Sequence, residues 1–368
     1  MKKSNYSSIE TIIKTAKKGG MFILVDDEKR ENEGDLVISS SDSSPKNINF
    51  MAKYGRGLIC LAITKLQSER LGLSLMERKN ESRYDTAFTT SIEARTGVTT
   101  GISASDRSIT IKTAINEQNN ESHITTPGHI FPIIARDGGT LVRAGHTEAV
   151  VDIAKLSGLN PSGVICEIMK DNGEMARLPD LIEFAKEHNI KIGTIADLIS
   201  YRRKNEKIVK RSTERNFLSN YGGEWRIIVY KSLIDDIEHI ALVKGFINDE
   251  SSTLVRVHSF NAMTDLLGEK SFDKAENILS KSMKLISVKG KGVIILINDS
   301  FQEFLSKKIK ISIQNSGDTK SELRNYGVGA QILSDLGLKK MILISNSKQS
   351  PLGLKGFGLE VEGWHSLD

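Results

Sequence analysis

The sequence FILVDDEKRENEGDLV at residues 22–37 combines a short apolar run with a dense acidic run. The apolar residues 21–25 show no polar alternation, which is typical of a strand buried on both faces of a sheet. Residues 57–63 and 163–169 have the same character. Helical patterns separate and follow these runs, including one expected from Thr147. The first half of the chain is therefore predicted to be α+β, of the α/β type, with a mixed sheet flanked by helices.

Length and composition limit the class of protein. A chain of 368 residues with 39% apolar and 26% charged residues favours two globular domains over disorder. Cys60 and Cys166 lie in apolar runs, and two cysteines exclude a disulfide framework or an all-cysteine zinc site. No apolar run approaches the roughly 20 residues that span a bilayer, and no signal peptide is visible, so we expect a cytoplasmic protein without a membrane partner. The net charge of +5 is mild for this length and does not indicate nucleic-acid binding.

The composition changes near residues 201–217, which are basic, polar and poor in core residues. Five of the six prolines precede this stretch, and both tryptophans follow it. We therefore predict a first domain at residues 1–205, a basic linker at 206–222 and a second domain at 223–368, where strands and helices again alternate.

The acidic run from Asp26 to Asp35 is the strongest local candidate for a site. Six of its ten residues are carboxylates, and they directly follow a predicted buried strand. Loops at strand ends project side chains into crevices. Carboxylates this close repel one another unless a cation is present, and their oxygens suit Mg²⁺ or Mn²⁺. The alternative is a solvated acidic loop.

Residues 143–147, RAGHT, form a second candidate. The arginine offers a planar fork for phosphate, the glycine permits close backbone approach, and the amides of a following helix favour anions. His146 could be a metal ligand, an acid–base group or simply a packed histidine. The loop at residues 95–107 is rich in hydroxyls and glycines, so it could cradle phosphate or serve only as a turn-rich connection.

Two further residues stand out. His129 follows Pro127 and Gly128 in a predicted tight turn. Glu167 lies inside an apolar run, where a carboxylate is costly unless it is paired or functional, or unless it faces solvent. These motifs indicate a metal-assisted reaction on a small phosphorylated substrate, and a generic sugar-phosphate isomerase or aldolase is one class that fits them.

Residues of about 8–202 resemble 3,4-dihydroxy-2-butanone 4-phosphate synthase. Four stretches carry the resemblance in order: FILVDDEKRENEGDLV, ARTGVTTGISASDR, TPGHIFPIIARDGGTLVRAGHTEAVVDIAKLSGLNPSGVICEIM and MARLPDLIEFAKEHNIKIGTIADLI. The resemblance implies a lyase of riboflavin biosynthesis that converts D-ribulose 5-phosphate to L-3,4-dihydroxy-2-butanone 4-phosphate and formate. It also implies Mg²⁺ or Mn²⁺ as cofactor and a homodimer with sites near the subunit interface.

The same resemblance implies roles for individual residues. Glu31 and His146 would be the metal ligands, and His129 and Glu167 the essential catalytic residues. Substrate contacts are implied for nine positions: Arg30, Glu31, Asp35, Arg143, Ala144, Gly145, His146, Thr147 and Glu167. The third carbon of the ketose must lose a proton to give an enediol, and dehydration, skeletal rearrangement and formate loss follow. Either Asp35 or Glu167 would move that proton while His129 orients or shuttles, and the sequence leaves the choice of base open.

From about residue 224 to 368 the chain resembles GTP cyclohydrolase II. The matching pieces include EHIALVKG, LVRVHS and RNYGVGAQILSDLGLKKMILISN. The three zinc-binding cysteines of that family fall on residues of other types: Asn261, Phe272 and Lys274. The family's phosphate-contacting segment aligns with residues 299–303 and is lost, and its Asp-Leu-Arg motif appears as Glu-Leu-Arg at 322–324. No zinc is therefore expected, and hydrolytic opening of a guanine ring has no visible means.

These departures favour a catalytically inactive second domain kept for structure, dimerisation or regulation. The alternatives are a nucleotide-binding or altered catalytic domain that works without zinc, and a bifunctional enzyme with both activities. A scaffold protein with two silent halves is opposed by the intact motifs of the first half.

Overall fold

The computed structural model of the protein describes the following residues: 6–28, 30–76, 86–234, 236–247, 251–260, 265, 278–298, 328–345 and 357–367. The chain divides into two compact units, Met1–Arg202 (unit 1) and Arg203–Asp368 (unit 2). Each unit has its own sheet.

Unit 1 is organised around a mixed sheet. Its strands are β1 (Phe22–Val25), β2 (Gly34–Ser39), β3 (Cys60–Ile63), β4 (Ile92–Ala94), β5 (Ile124–Ile134), β6 (Gly163–Glu167) and β7 (Lys191–Thr194). Within the described residues their order is β4-β5-β3-β6-β2-β1-β7. β1 is parallel to β7 and β3 to β5, whereas the other neighbours are antiparallel.

Helices cover both faces of this sheet. They are α1 (Ile9–Lys17), α2 (Pro45–Phe50), α3 (Lys65–Arg70), α4 (Ala104–Ile115), α5 (His146–Leu156), α6 (Leu178–Glu187) and α7 (Ile195–Asn205). Alternate residues of β1 point to opposite faces, so Ile23 belongs to the same core as Leu181, while Leu24 packs in the core that contains Ile12 and Val150. The mixed sheet between helices is confirmed, and the apolar run is a strand buried on both faces.

Unit 2 also combines a mixed sheet with helices. Its strands are β8 (Val209–Ser219), β9 (Gly223–Ser232), β10 (Glu238–Lys244), β11 (Thr253–Ser259), β12 (Gly292–Ile297), β13 (Lys340–Ile344) and β14 (Glu360–His365). Over the described part of the chain their order is β14-β13-β11-β12-β10-β9-β8. Two helices of unit 2 lie in its described residues, α8 (Ile278–Lys289) and α9 (residues 328–335). Trp225, Met283, Ile286 and Ile294 form part of its buried core.

The predicted linker at residues 206–222 is wrong, because most of it is a strand. Residues Val209–Ser219 pair antiparallel with β9 along its whole length. Most side chains of β8 are exposed, so its sequence lacks the apolar alternation that reveals a half-buried strand. Charged side chains are common on edge strands, where they oppose unwanted pairing with other chains.

Candidate active site

Asp26 folds the acidic run into a tight loop. It follows β1 directly, and its carboxylate accepts hydrogen bonds from the backbone amides of Glu31 (3.2 Å) and Glu33 (3.0 Å). Its Oδ2 also accepts from Arg30 Nη1 at 2.8 Å, and the same guanidinium contacts the Glu31 carboxylate. Asp26 and Asp35 are both buried. The acidic run is therefore a structured loop and not the solvated one of the alternative prediction.

His146 enters the same site from the first turn of α5. Its Nε2 lies 3.2 Å from the backbone carbonyl oxygen of Leu24. Because a carbonyl only accepts, we assign the hydrogen to Nε2, which leaves the lone pair on Nδ1. Nδ1 lies 4.0 Å from Glu31 Oε2 and 3.8 Å from Asp35 Oδ1. Burial lowers the pKa of His146 to about 4, because the opposing negative charge of Asp26 is outweighed and the positive charge of Arg30 acts in the same direction as burial. The imidazole is therefore neutral at pH 7, the form that binds metals.

Three of these side chains could hold a cation. One ligand atom from each of Asp26, Glu31 and His146 lies within 4.8 Å of the others. Carboxylate oxygens with an imidazole nitrogen suit Mn²⁺, and with water completing the coordination they also suit Mg²⁺. The geometry brings the predicted pair Glu31 and His146 together and adds Asp26 to it.

Asp35 and Glu167 form a carboxylate pair beside this cluster. They are register partners on the adjacent strands β2 and β6. Burial raises the pKa of Asp35 well above its usual value, and the negative charges of Glu167 and Glu31 raise it further. Burial also raises the pKa of Glu167, whose Oε2 accepts a hydrogen bond from the Leu58 amide at 2.9 Å. The site therefore favours a proton or a cation, and Glu167 is half-buried beside Asp35 instead of facing solvent.

The predicted phosphate contacts lie at the start of α5. Gly145 is the N-cap of this helix, Thr147 is buried in its first turn and Ala144 is exposed. The guanidinium of Arg143 is already bound on two sides, since Nη1 donates to Glu148 Oε2 at 2.7 Å and Nη2 donates to Thr86 Oγ1 at 3.0 Å. The segment thus offers helix N-terminal amides next to an arginine with a fixed orientation.

His129 belongs to a second group of residues in unit 1. Its Nδ1 lies 2.6 Å from Glu93 Oε2. None of the contacts among the described residues joins His129 to Glu31 or His146. The structure thus brings together the predicted metal ligands and Glu167, but it places the other predicted catalytic residue in a separate cluster.

Three residues that shape these groups were not predicted from the sequence. Asp26 was not distinguished from the other carboxylates, although its place directly after the strand was a usable signal. Arg177 Nη1 donates to the backbone carbonyls of Glu31 (2.7 Å) and Asn32 (2.6 Å) and so fixes the acidic loop from a distant part of the chain. Glu93 lies in a short strand with no local pattern that would single it out. The contacts of Arg177 with the acidic loop and of Glu93 with His129 are visible only in the three-dimensional fold.

Comparisons with known proteins agree with this architecture. The family model of 3,4-dihydroxy-2-butanone 4-phosphate synthase matches residues 10–201, and that of GTP cyclohydrolase II matches residues 210–366. The 3,4-dihydroxy-2-butanone 4-phosphate synthase of Photobacterium phosphoreum is 46% identical over 96% of this chain and 98% of its own. Among the described residues, no helix combines the length and apolar character needed to cross a bilayer.

Solved structures give the same result. A two-domain 3,4-dihydroxy-2-butanone 4-phosphate synthase from A. baumannii is 40% identical, with a TM-score of 0.81 over 98% of this chain and 99% of its own. Another 3,4-dihydroxy-2-butanone 4-phosphate synthase, solved with two magnesium ions, is 34% identical and has a TM-score of 0.53 over 55% of this chain and 99% of its own.

The fold and the site define a two-domain enzyme whose first domain brings a carboxylate–histidine cluster that could hold a cation next to the carboxylates of Asp35 and Glu167. The chain belongs to the 3,4-dihydroxy-2-butanone 4-phosphate synthase family. Its first unit serves riboflavin biosynthesis, and a GTP cyclohydrolase II-like domain follows it.

Proposed function

We propose that unit 1 is a lyase that converts D-ribulose 5-phosphate to L-3,4-dihydroxy-2-butanone 4-phosphate and formate in the cytoplasm. The observation that carries this proposal is the convergence of Asp26, Glu31 and His146 ligand atoms within 4.8 Å of one another, directly beside Asp35 and Glu167. A ketose phosphate needs both a cation for its oxygens and a base for its carbon-bound proton, and this site offers both.

The residues fit Mg²⁺ or Mn²⁺. Asp26 is held by two backbone amides and by Arg30, and His146 is held by the Leu24 carbonyl. Ligands fixed in this way need little rearrangement to bind an ion. When bound, the ion would stabilise the negative charge that develops on the substrate oxygens.

Asp35 and Glu167 are the candidates for proton transfer. They lie side by side on β2 and β6, and both have raised pKa values because burial disfavours their charged forms. Two such groups can act as acid and base, since one can keep a proton while the other accepts one from the substrate carbon. Either of them can be the first base. His129, as the resemblance implies, is the third catalytic residue and orients or shuttles a proton.

The start of α5 is the proposed phosphate site. The amides of residues 144–147 lie at the positive end of the helix, where an anion is stabilised. Arg143, fixed by Glu148 and Thr86, adds a positive charge beside them. Arg30 completes the predicted substrate contacts from the acidic loop. We further propose that the protein acts as a homodimer.

Unit 2 is proposed to be catalytically silent and free of zinc. The aligned positions of the zinc ligands, Asn261, Phe272 and Lys274, lie outside the described residues, so the proposal rests on residue types. Neither phenylalanine nor a protonated lysine binds zinc. A bifunctional enzyme with GTP-dependent activity is the alternative.

Variants of the proposed ligands test the site. Glu31→Ala or His146→Ala should reduce metal-dependent formate release from D-ribulose 5-phosphate by about 100-fold or more, since metal-ligand loss removes charge stabilisation. Binding of Mn²⁺, followed by electron paramagnetic resonance, should weaken in parallel. The matched control is Glu69→Ala, whose side chain on α3 is 61% exposed. Full activity in either folded ligand variant would remove the metal assignment.

A further inference from the structure

We infer that Glu93 is a positioning residue for His129: its carboxylate fixes the ring tautomer that leaves Nε2 free to accept a proton. This inference rests on the proposed catalytic role of His129. It goes beyond that role because it assigns the group that prepares the histidine for proton transfer.

The strand pairing brings the two residues together. In the ladder between β4 and β5, Ile92 pairs with Ile130, whereas the next residue, Glu93, pairs with Thr125. Residues 126–129 of β5 therefore have no pairing partner on β4, because two consecutive residues of β4 pair with residues of β5 that are five positions apart. His129 lies at the end of this excursion, with its Nδ1 2.6 Å from Glu93 Oε2.

Glu93 itself is held in place from the other side. Its Oε1 accepts a hydrogen bond from Thr110 Oγ1 at 2.6 Å, and the same hydroxyl oxygen accepts from the Ala94 amide at 3.1 Å. Thr110 is fully buried on α4. The hydroxyl therefore has one donor direction, toward Glu93, and its orientation is fixed by the backbone of β4.

The loop at residues 95–107 closes over the pair. Gly101 packs so near that a Cβ at this position would lie 1.9 Å from Glu93 Oε2 and 2.5 Å from His129 Nδ1. The Gly101 amide is tied to Asp106 Oδ2 at 3.1 Å, which anchors the loop to α4. The glycine at this position therefore allows the loop backbone to lie directly against the Glu93–His129 contact.

A positioning role requires that the carboxylate be mostly buried and the histidine accessible, and the two side chains differ in this way. The Glu93 side chain is 13% exposed, whereas the His129 side chain is 42% exposed. In the described part of the chain, His129 Nε2 has no hydrogen-bond partner. A carboxylate accepts but does not donate, so it keeps the proton on Nδ1 and leaves the lone pair on the exposed Nε2. Carboxylates orient catalytic and metal-binding histidines in this way in many enzymes.

The isosteric substitution Glu93→Gln should reverse this arrangement. Thr110 Oγ1 donates its hydrogen, so the amide oxygen of glutamine would take that position and the NH₂ group would face His129 Nδ1. An NH₂ group donates, so Nδ1 would have to accept and the hydrogen would move to Nε2. The substitution preserves shape and packing but removes the free lone pair.

The test combines nuclear magnetic resonance with kinetics on the full-length protein. In the wild type at pH 8, the ¹⁵N shifts of His129 should report hydrogen on Nδ1, and in Glu93→Gln they should report hydrogen on Nε2. Turnover of D-ribulose 5-phosphate should fall by about 100-fold to 10,000-fold, the usual range for a lost acid–base group. KM and Mn²⁺ affinity should stay within about twofold of wild type, because neither the proposed metal ligands nor the phosphate site change.

A second variant, His129→Gln, separates the failure of this inference from that of the proposed function. If His129→Gln keeps wild-type turnover, His129 is not catalytic and the proposed function loses that residue. If His129→Gln is impaired while Glu93→Gln turns over at the wild-type rate, the positioning role is wrong. A wild-type His129 with hydrogen on Nε2 would also overturn the inference, and that measurement needs no variant. Loss of activity in Glu93→Gln together with the tautomer change supports it.

Discussion

Gly57 occupies a position in the site where no larger side chain fits. A Cβ there would lie 2.5 Å from Glu167 Oε2, and 2.6 and 2.7 Å from the backbone oxygen and nitrogen of the same residue. The side-chain oxygen can move, but the two backbone atoms belong to strand β6 and cannot. The small residue at this point is therefore a condition for keeping Glu167 against Asp35.

Gly57→Ala should consequently shift Glu167 and destabilise unit 1. We expect a loss of about 1–3 kcal/mol in the free energy of unfolding, the usual cost of overpacking, and reduced formate release. Thermal melting and the formate assay measure the two effects. Gly363→Ala is the control, since the nearest atom to a Cβ there is 4.0 Å away. If Gly57→Ala had the melting temperature and the formate release of the wild type, the backbone of β6 would have to move at this position without a cost in stability or activity.

The sequence predicted part of the site at the level of single residues. The motifs and the family resemblance indicate Glu31 and His146, and the two side chains do converge. Arg177 and Glu93 could not be found in this way, because their partners lie far along the chain or across an irregular strand pair. Hydrogen-bond partners of this kind depend on the three-dimensional fold and leave no periodic trace in the sequence.

At the level of elements, apolar strands were predicted well and polar or irregular ones were not. β1, β3 and β6 lie in the predicted apolar runs, whereas β5 contains Pro127 and Pro132, residues that usually argue against a strand. The side chains of β8 are mostly exposed, so its sequence is polar and favours a linker. Only buried positions of a strand require apolar residues, so a strand with few buried positions shows no apolar alternation in its sequence.

A tertiary contact joins the polar strand β8 to helix α9. Arg211 Nε donates to Asp335 Oδ2 at 2.7 Å, and the hydroxyl of Tyr230 on β9 donates to the same oxygen at 2.8 Å. Burial alone would raise the pKa of Asp335, but these hydrogen bonds outweigh it and hold the pKa below its usual value. The end of α9 is thereby joined to the edge of the sheet.

Asp335→Asn should therefore weaken unit 2, and it should do so only when the wild-type carboxylate is charged. A depressed folded-state pKa gives a contribution that is present above the ordinary aspartate value of 3.8 and is lost as the pH falls through the folded pKa. We expect the variant to be less stable than wild type at pH 7 and the difference to shrink below about pH 4. Denaturant unfolding across this pH range measures it.

Asp236→Asn is the matched control for this prediction. Asp236 also pairs with a basic residue of unit 2, Lys231, but its side chain is 83% exposed. Exposed ion pairs contribute little to stability, so this variant should unfold like the wild type. Equal losses in the two variants at pH 7 would mean that the contact of Asp335 with Arg211 has no special role.

At the scale of the whole molecule, the two units differ in what their sequences retain. Every residue of the proposed site lies between Asp26 and Glu167, and therefore within unit 1. The described part of unit 2 keeps a seven-stranded sheet and a buried core, while the residues aligned with the zinc ligands are of other types. A retained core maintains a fold, but it does not maintain chemistry.

Truncation tests this division of labour. A chain that ends at residue 205 keeps α7 and the whole site, and it should release formate from D-ribulose 5-phosphate at a rate within a few-fold of the full protein. Circular dichroism would establish that the shortened chain is folded. A folded but inactive unit 1 would mean that unit 2 takes part in the reaction, by contact or by assembly.

The most direct measurement is a pair of formate assays on one purified sample of the full-length protein. One assay supplies D-ribulose 5-phosphate with Mg²⁺, and the other supplies GTP with Zn²⁺ and Mg²⁺. We expect formate from the sugar phosphate alone, and none from GTP. Absence of formate from the sugar phosphate would contradict the proposed site in unit 1. Formate from GTP would contradict the assignment of unit 2 as silent, and Asn261, Phe272 and Lys274 would then have to be compatible with catalysis.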